Sequence, residues 1–112
     1  MNVLVTGGAG FLGGYAMSAL AAAGHNAIAY DIAPPSDEML AVTPSLASTY
    51  RSGSIDDIGR LVEICRAERI EVIVHAASRV GLEPSLADPV AFYRTNIMGL
   101  VNVCEAARSG RF

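Results

Sequence analysis

A doubly wound α/β fold built on a parallel sheet is predicted from three observations. Apolar runs of strand length recur at Val3–Val5, Ala27–Tyr30 and Glu71–Ala76, with helix-like spacing of apolar residues between them. The run Glu71–Ala76 is dominated by valine and isoleucine, as expected of a strand covered on both faces. Gly7, Gly10 and Gly13 follow the first run at G-x-x-G-x-x-G spacing, the pattern of a tight turn feeding a helix N-terminus. The elements read β-α-β-loop-β-α-β-α. Right-handed crossovers then favour the strand order 3-2-1-4, an incomplete Rossmann-like sheet of about four strands.

Each element has a local reason. After the glycines, Leu12, Tyr15, Ala16, Ala19, Leu20 and Ala23 recur at helical spacing, and Gly24 stands where a C-terminal cap belongs. Ala27–Tyr30 reads as a buried strand closed by Asp31. Pro34 and Pro35 mark a loop, and Ser36 can cap a short helix over Asp37–Ala41. Ser48–Arg51 is the candidate third strand, ending at Ser52-Gly53. Asp56 or Asp57 caps the next helix, whose inner face carries Ile58, Leu61, Val62 and Cys65. Asp88-Pro89 opens the last helix, with aspartate as cap and proline where no donor is needed. That helix is expected to run to about Arg108, with Gly110 beyond it. It is apolar on more than one face, which asks for more than a sheet as partner. Gly99 in its interior costs about 1 kcal/mol relative to alanine, so a close approach is expected there.

The glycine loop has a chemistry. The first glycine permits the sharp turn, the second lets backbone N–H groups approach a pyrophosphate, and the third lets helix and strand pack closely. The helix N-terminus adds unpaired donors and a positive dipole end. Asp31, about 20 residues further on, is placed to accept hydrogen bonds from an adenosine ribose and to repel a 2′-phosphate. No arginine or lysine lies between Ile32 and Leu46 to reverse that preference, so NAD is expected rather than NADP.

Composition excludes other classes. The chain has 112 residues, 52% of them hydrophobic, and a net charge of −3, enough for one small domain with a core. There is no basic cluster to suggest nucleic acid as a partner. No apolar run is long enough to suggest a membrane span, and no basic leader precedes the first strand. A cytoplasmic location is therefore expected. Cys65 and Cys104 read as small buried residues, and no His/Cys spacing suggests a metal. All eight basic residues are arginine.

These motifs together resemble the extended short-chain dehydrogenase/reductases, specifically the NAD-dependent epimerase/dehydratase group, over essentially the whole chain. Thr6-Gly7-Gly8-Ala9-Gly10-Phe11-Leu12-Gly13 matches that family's nucleotide loop, and Asp31 its ribose-binding acid. Val74-His75-Ala76-Ala77-Ser78 resembles its fourth-strand signature, where small residues let the backbone lie along the cofactor. Asp88-Pro89, Tyr93, Asn96 and Gly99 resemble its fourth helix. The resemblance implies cofactor contacts from Thr6, Gly7, Gly10, Phe11, Leu12, Gly13, Asp31, Ser54, Ile55, Ala76 and Ala77. Ser78 and Asn96 would stand near the reacting centre, Asn96 as a tether between helix and backbone, and Arg79 near a cofactor-contacting position. His75 is placed structurally. One departure is Gly53-Ser54-Ile55, where the family often has Gly-Asp and an aliphatic residue; the Ser54 hydroxyl keeps a hydrogen-bonding group there.

The resemblance also implies a base that this sequence does not contain. The family uses a later Ser/Thr and a Tyr-x-x-x-Lys pair, in which the cation lowers the phenol pKa. Tyr15, Tyr30, Tyr50 and Tyr93 have no lysine four residues on, because the chain has none. Residues 1–112 therefore read as the N-terminal portion of an NAD-binding domain, expected to be inactive alone. The implied parent reaction is hydride transfer involving a nucleotide-sugar, whose binding would need a missing C-terminal part. The alternatives are a non-catalytic dinucleotide-binding module and a truncated gene product without its own activity. An open sheet edge and a greasy last helix lead us to expect self-association.

Overall fold

The computed structural model describes residues 1–110. Four parallel strands, β1 (Asn2–Thr6), β2 (Asn26–Asp31), β3 (Tyr50–Ser52) and β4 (Val72–His75), form one sheet in the order β3-β2-β1-β4. The expected architecture and strand order are both observed. Leu4 pairs with Ile28 on one side and Ile73 on the other, so β1 is the central strand.

Helices cover both faces. On one, α4 (Ile58–Ala67) and α7 (Gly99–Gly110) enclose Leu4, Ile28, Leu61, Ile64, Cys65, Val103 and Ala106. On the other, α1 (Phe11–Ala22), α2 (Asp37–Val42) and α3 (Leu46–Thr49) enclose Val3, Val5, Met17, Ala29, Met39 and Leu46. Alternate residues of β1 thus feed opposite cores, as the two-residue period of a strand requires.

Local signals behave as the residues dictate. Ser36 accepts from Met39 N at 3.2 Å, and Asp57, not Asp56, caps α4 by accepting from Arg60 N at 3.0 Å. Gly24 takes φ +84° just past the end of α1. Three expectations need correction. The buried stripe of α1 is Gly13, Gly14 and Met17, whereas Leu12, Tyr15, Ala19 and Ala23 are exposed. Gly13 packs on the backbone of the Gly7–Gly8 turn and Gly14 on Met39 of α2, and these close contacts set the helix rotation. Ser48 and Thr49 are helical and the third strand starts at Tyr50. Their hydroxyls donate to Ser45 O at 3.2 and 2.9 Å, and Leu46 buries completely, so the turn closes before the strand begins. Cys104 is exposed; only Cys65 is buried.

The last helical run is more broken than its sequence. Residues 79–88 contain a short helix α5 (Leu82–Ala87) that composition did not reveal. Then α6 (Pro89–Tyr93), a π turn (Arg94–Met98) and α7 follow without a break, and the helix includes Gly110. Only Gly99, Val103 and Ala106 are buried on α7. Gly99 meets the close approach expected of it, but the partner is a side chain: a Cβ there would strike Ile55 Cδ1 and lie 2.9 Å from Ile55 Cγ1.

Candidate functional site

The first turn after β1 is held from beneath. Thr6 is fully buried, and its Oγ1 lies 2.7 Å from His75 Nδ1 while accepting from Ala76 N and Ala77 N, each at 3.2 Å. A hydroxyl has one proton and two lone pairs. With both lone pairs engaged, the proton goes to His75 Nδ1, which makes His75 neutral with its proton on Nε2. Burial pushes the His75 pKa below its ordinary value in agreement. This clamp presses the end of β4 against Gly7. A Cβ on Gly7 would lie 2.9 Å from both Ala77 Cα and Ala77 N, and its φ is +69°.

The three glycines of the loop do different work. Gly13 packs directly on the Gly7 carbonyl, where a Cβ would overlap the oxygen and lie 2.7 Å from the carbonyl carbon. A Cβ on Gly10 would meet only Gly7 O, at 3.3 Å. Gly10 is exposed, so it leaves backbone open rather than serving an internal contact. Among the described residues no side chain caps α1 and no acid stands in its first turn, so its free N–H groups and positive end are left unneutralised.

Above this loop lies a cleft of about 500 Å³. It is lined by Gly7, Gly10, Phe11, Leu12 and Gly13, by Asp31 at the end of β2, by Ser54 and Ile55 after β3, and by Ala76, Ala77 and Ser78 after β4. The cleft thus sits outside the carboxyl ends of the strands. Asp31 is positioned by its own turn and by the glycine loop: Oδ1 accepts from Ile32 N at 2.8 Å and Oδ2 from Ala9 N at 3.2 Å. The stretch Gly53–Ile55 is pinned from two sides. Tyr30 donates to Ser54 O at 2.7 Å, and Asn102 donates to Ile55 O at 2.8 Å. Burial raises the Tyr30 phenol to about 12, so it stays protonated and keeps donating.

Two of the residues singled out from sequence do not line the cleft. Thr6 lies behind its wall with its hydroxyl committed to the β4 end. Asn96 stands beside it, with Oδ1 accepting from Arg79 N at 2.8 Å and Nδ2 donating to Arg79 O at 2.9 Å. Sequence reasoning missed Tyr30, Asp56, Thr95 and Asn102. Tyr30 carried a usable signal, a tyrosine next to the acid that ends a buried strand; the others depend on packing between distant segments.

The donor set fits a dinucleotide. An uncapped helix start with a side-chain-free Gly10 suits a pyrophosphate, and a carboxylate at the neighbouring strand end suits ribose hydroxyls. Among the described residues no helix is long and apolar enough to cross a membrane, and no cluster of three or more His, Cys, Asp or Glu is placed to hold a metal.

Known proteins agree with this geometry. A UDP-glucose 4-epimerase from Rhizobium meliloti is 33% identical over 106 residues, which are 95% of this chain and 31% of that protein. One from Klebsiella pneumoniae is 30% identical over 113 residues, covering 97% of this chain and 81% of that sequence. Among solved structures, the Brucella ovis UDP-glucose 4-epimerase in complex with NAD superposes with a TM-score of 0.82 at 31% identity, over 98% of this chain and 33% of that one. The Thermus thermophilus enzyme with NAD gives 0.85 at 30%, over 98% and 34%. The chain therefore spans about a third of the length of most of these relatives. The model of the NAD-dependent epimerase/dehydratase family matches residues 3–112. That match covers nearly the whole sequence, and this chain belongs to that family.

Proposed function

We propose that this chain binds NAD and forms the cofactor-holding part of an epimerase/dehydratase that acts on a nucleotide-sugar. The observation that carries the reading is the convergence of three separate segments on one cleft: the Gly7–Gly13 loop, Asp31, and the Ala76–Ser78 backbone. In this reading the N–H groups at the start of α1 hold the pyrophosphate, and Asp31 accepts from the adenosine ribose. Ser54 and Ile55 border the adenine, and Phe11, Leu12, Ala76 and Ala77 exclude water along the cofactor. Thr6 acts from behind, by holding the β4 end in place. The bound nicotinamide supplies hydride transfer. The residues of this chain bind and orient it, and the base that takes a substrate proton belongs to other groups, since no tyrosine here has a lysine beside it. Two unpaired cysteines suit the reducing cytoplasm, which cell fractionation tests.

Titration calorimetry on wild type and Asp31→Asn tests the cofactor site. Loss of a charge-assisted hydrogen bond to the ribose should weaken NAD about tenfold and narrow the preference over NADP. Unchanged NAD affinity in the variant would remove the ribose role from Asp31.

Self-association belongs to the same proposal. Among the described residues strand β4 pairs only with β1, and Val90, Tyr93, Ile97, Leu100 and Val101 are exposed along α6, the π turn and α7. An apolar face beside an open strand edge favours association. Light scattering after size exclusion should give a mass above that of one chain; a monodisperse monomer contradicts it.

A further inference from the structure

The π turn Arg94–Met98 interrupts a helical run that otherwise continues from Pro89 to Gly110. Such turns disturb the regular hydrogen-bond ladder and re-aim side chains, and they occur often at functional sites. Here two consecutive residues of the turn reach the same partner. Asn96 holds both backbone groups of Arg79, at 2.8 and 2.9 Å, and Thr95 Oγ1 accepts from Arg79 Nε at 3.1 Å. The three bonds fix the backbone and the root of the guanidinium of an exposed arginine. They leave Nη1 and Nη2 without a protein partner among the described residues, and none of the ion pairs there involves Arg79.

Arg79 and Thr95 both line the cleft, and among the described residues that do so Arg79 is the only cation. The sheet order places it opposite Asp31. β2 ends at Asp31 on one side of β1, and β4 leads to Arg79 on the other, with the glycine loop between them. A ligand whose ribose meets Asp31 therefore runs across the uncapped start of α1 toward the guanidinium. The free edge of a guanidinium is a planar fork that matches two phosphate oxygens.

We infer that Arg79, held by Thr95 and Asn96 of the π turn, is a diphosphate-binding residue of this cleft. The inference rests on the cofactor reading above for the direction of the ligand. The diphosphate is that of the dinucleotide or that of a nucleotide-sugar, which share the same chemistry.

Titration calorimetry of the purified protein with NAD, ADP, adenosine and UDP separates these cases. Arg79→Gln should weaken NAD and ADP about tenfold, by an amount that shrinks as salt rises, and leave adenosine unchanged. Arg79→Lys should retain part of the affinity, and Thr95→Val should lose less than Arg79→Gln. A loss confined to UDP assigns the residue to the nucleotide-sugar diphosphate and still upholds it. Equal affinity of wild type and Arg79→Gln for every diphosphate overturns the inference, as does a matching loss for adenosine, which would mean general damage to the cleft. If wild type binds no NAD, the cofactor reading fails separately. The UDP titration then decides Arg79, and equal or absent UDP binding overturns its role as well.

Discussion

Gly13→Ala is expected to cost about 3 kcal/mol or more, enough to lower the Tm by roughly 15 °C. A Cβ at residue 13 would overlap the carbonyl oxygen of Gly7 and crowd Gly8 Cα at 2.9 Å. Both obstacles are backbone, so no rotamer change relieves them. To admit the methyl, α1 must move away from the Gly7–Gly8 turn, which opens the packing of Met17 against the core formed with Val3, Val5 and Ala29. Domains of this size have a total stability of about 5–15 kcal/mol, so the loss is a large share of it. Gly10→Ala is the control, because its Cβ meets only one atom at 3.3 Å. It should change the Tm by a few degrees at most while weakening NAD, since its methyl occupies the side left open for a pyrophosphate. Thermal unfolding by circular dichroism, with calorimetric titration of NAD, checks both variants. Equal melting temperatures for the two would refute this division of labour between the glycines.

Thr6→Val should be the second most damaging change, at about 2 kcal/mol, because it keeps the shape and removes the hydroxyl. Ala77 N then loses its acceptor, and His75 Nδ1 loses its donor in a part-buried setting. Ala76 N is less affected, since it also donates to Thr6 O at 3.1 Å. In urea unfolding the midpoint should fall with little change in slope, and Thr6→Ser should restore most of the loss. The same unit predicts a pH dependence. Burial lowers the His75 pKa in the folded protein from the ordinary 6.5, whereas the unfolded chain takes up its proton near that value. The contribution of His75 is therefore complete above pH 6.5 and is lost as pH falls from there toward the lower folded-state value. His75→Asn, which keeps an acceptor, should flatten that part of the stability profile. A wild-type profile indifferent to pH between 7.5 and 5.5 would show that His75 is not held neutral.

The parts of this protein legible from sequence are those fixed by local pattern. The strands at 3–5, 27–30 and 71–76, the caps at Ser36 and Asp88, and the glycine loop each follow from backbone requirements within a few residues, whereas the choice of Asp57 over Asp56 was left open. Strand order followed too, because crossover handedness limits the ways such elements can be joined. The cleft residues Gly7, Gly10, Gly13 and Asp31 were legible because a strand, a glycine turn and a helix followed by a second strand constrain residue type and spacing together, while Ala76 and Ala77 were legible only through the family resemblance.

Tertiary packing decided what spacing leaves open. Which face of α1 is buried depended on Gly13 settling against the glycine turn and Gly14 against Met39 rather than on its apolar periodicity. Whether Ser48 and Thr49 extend or coil depended on hydroxyl bonds to Ser45 and on the burial of Leu46. Thr6 reads as one more loop residue in sequence, yet only the pairing of β1 with β4 brings its hydroxyl to His75, Ala76 and Ala77, about 70 residues away. Arg79, Thr95 and Asn96 likewise meet only when the last helix lies back along the sheet. Sequence alone determined strands β1, β2 and β4, the strand order and the glycine turn, because these follow from backbone geometry and chirality. The tertiary structure alone decided which side chains are held to face the cleft, because that depends on distances between segments that no local pattern encodes.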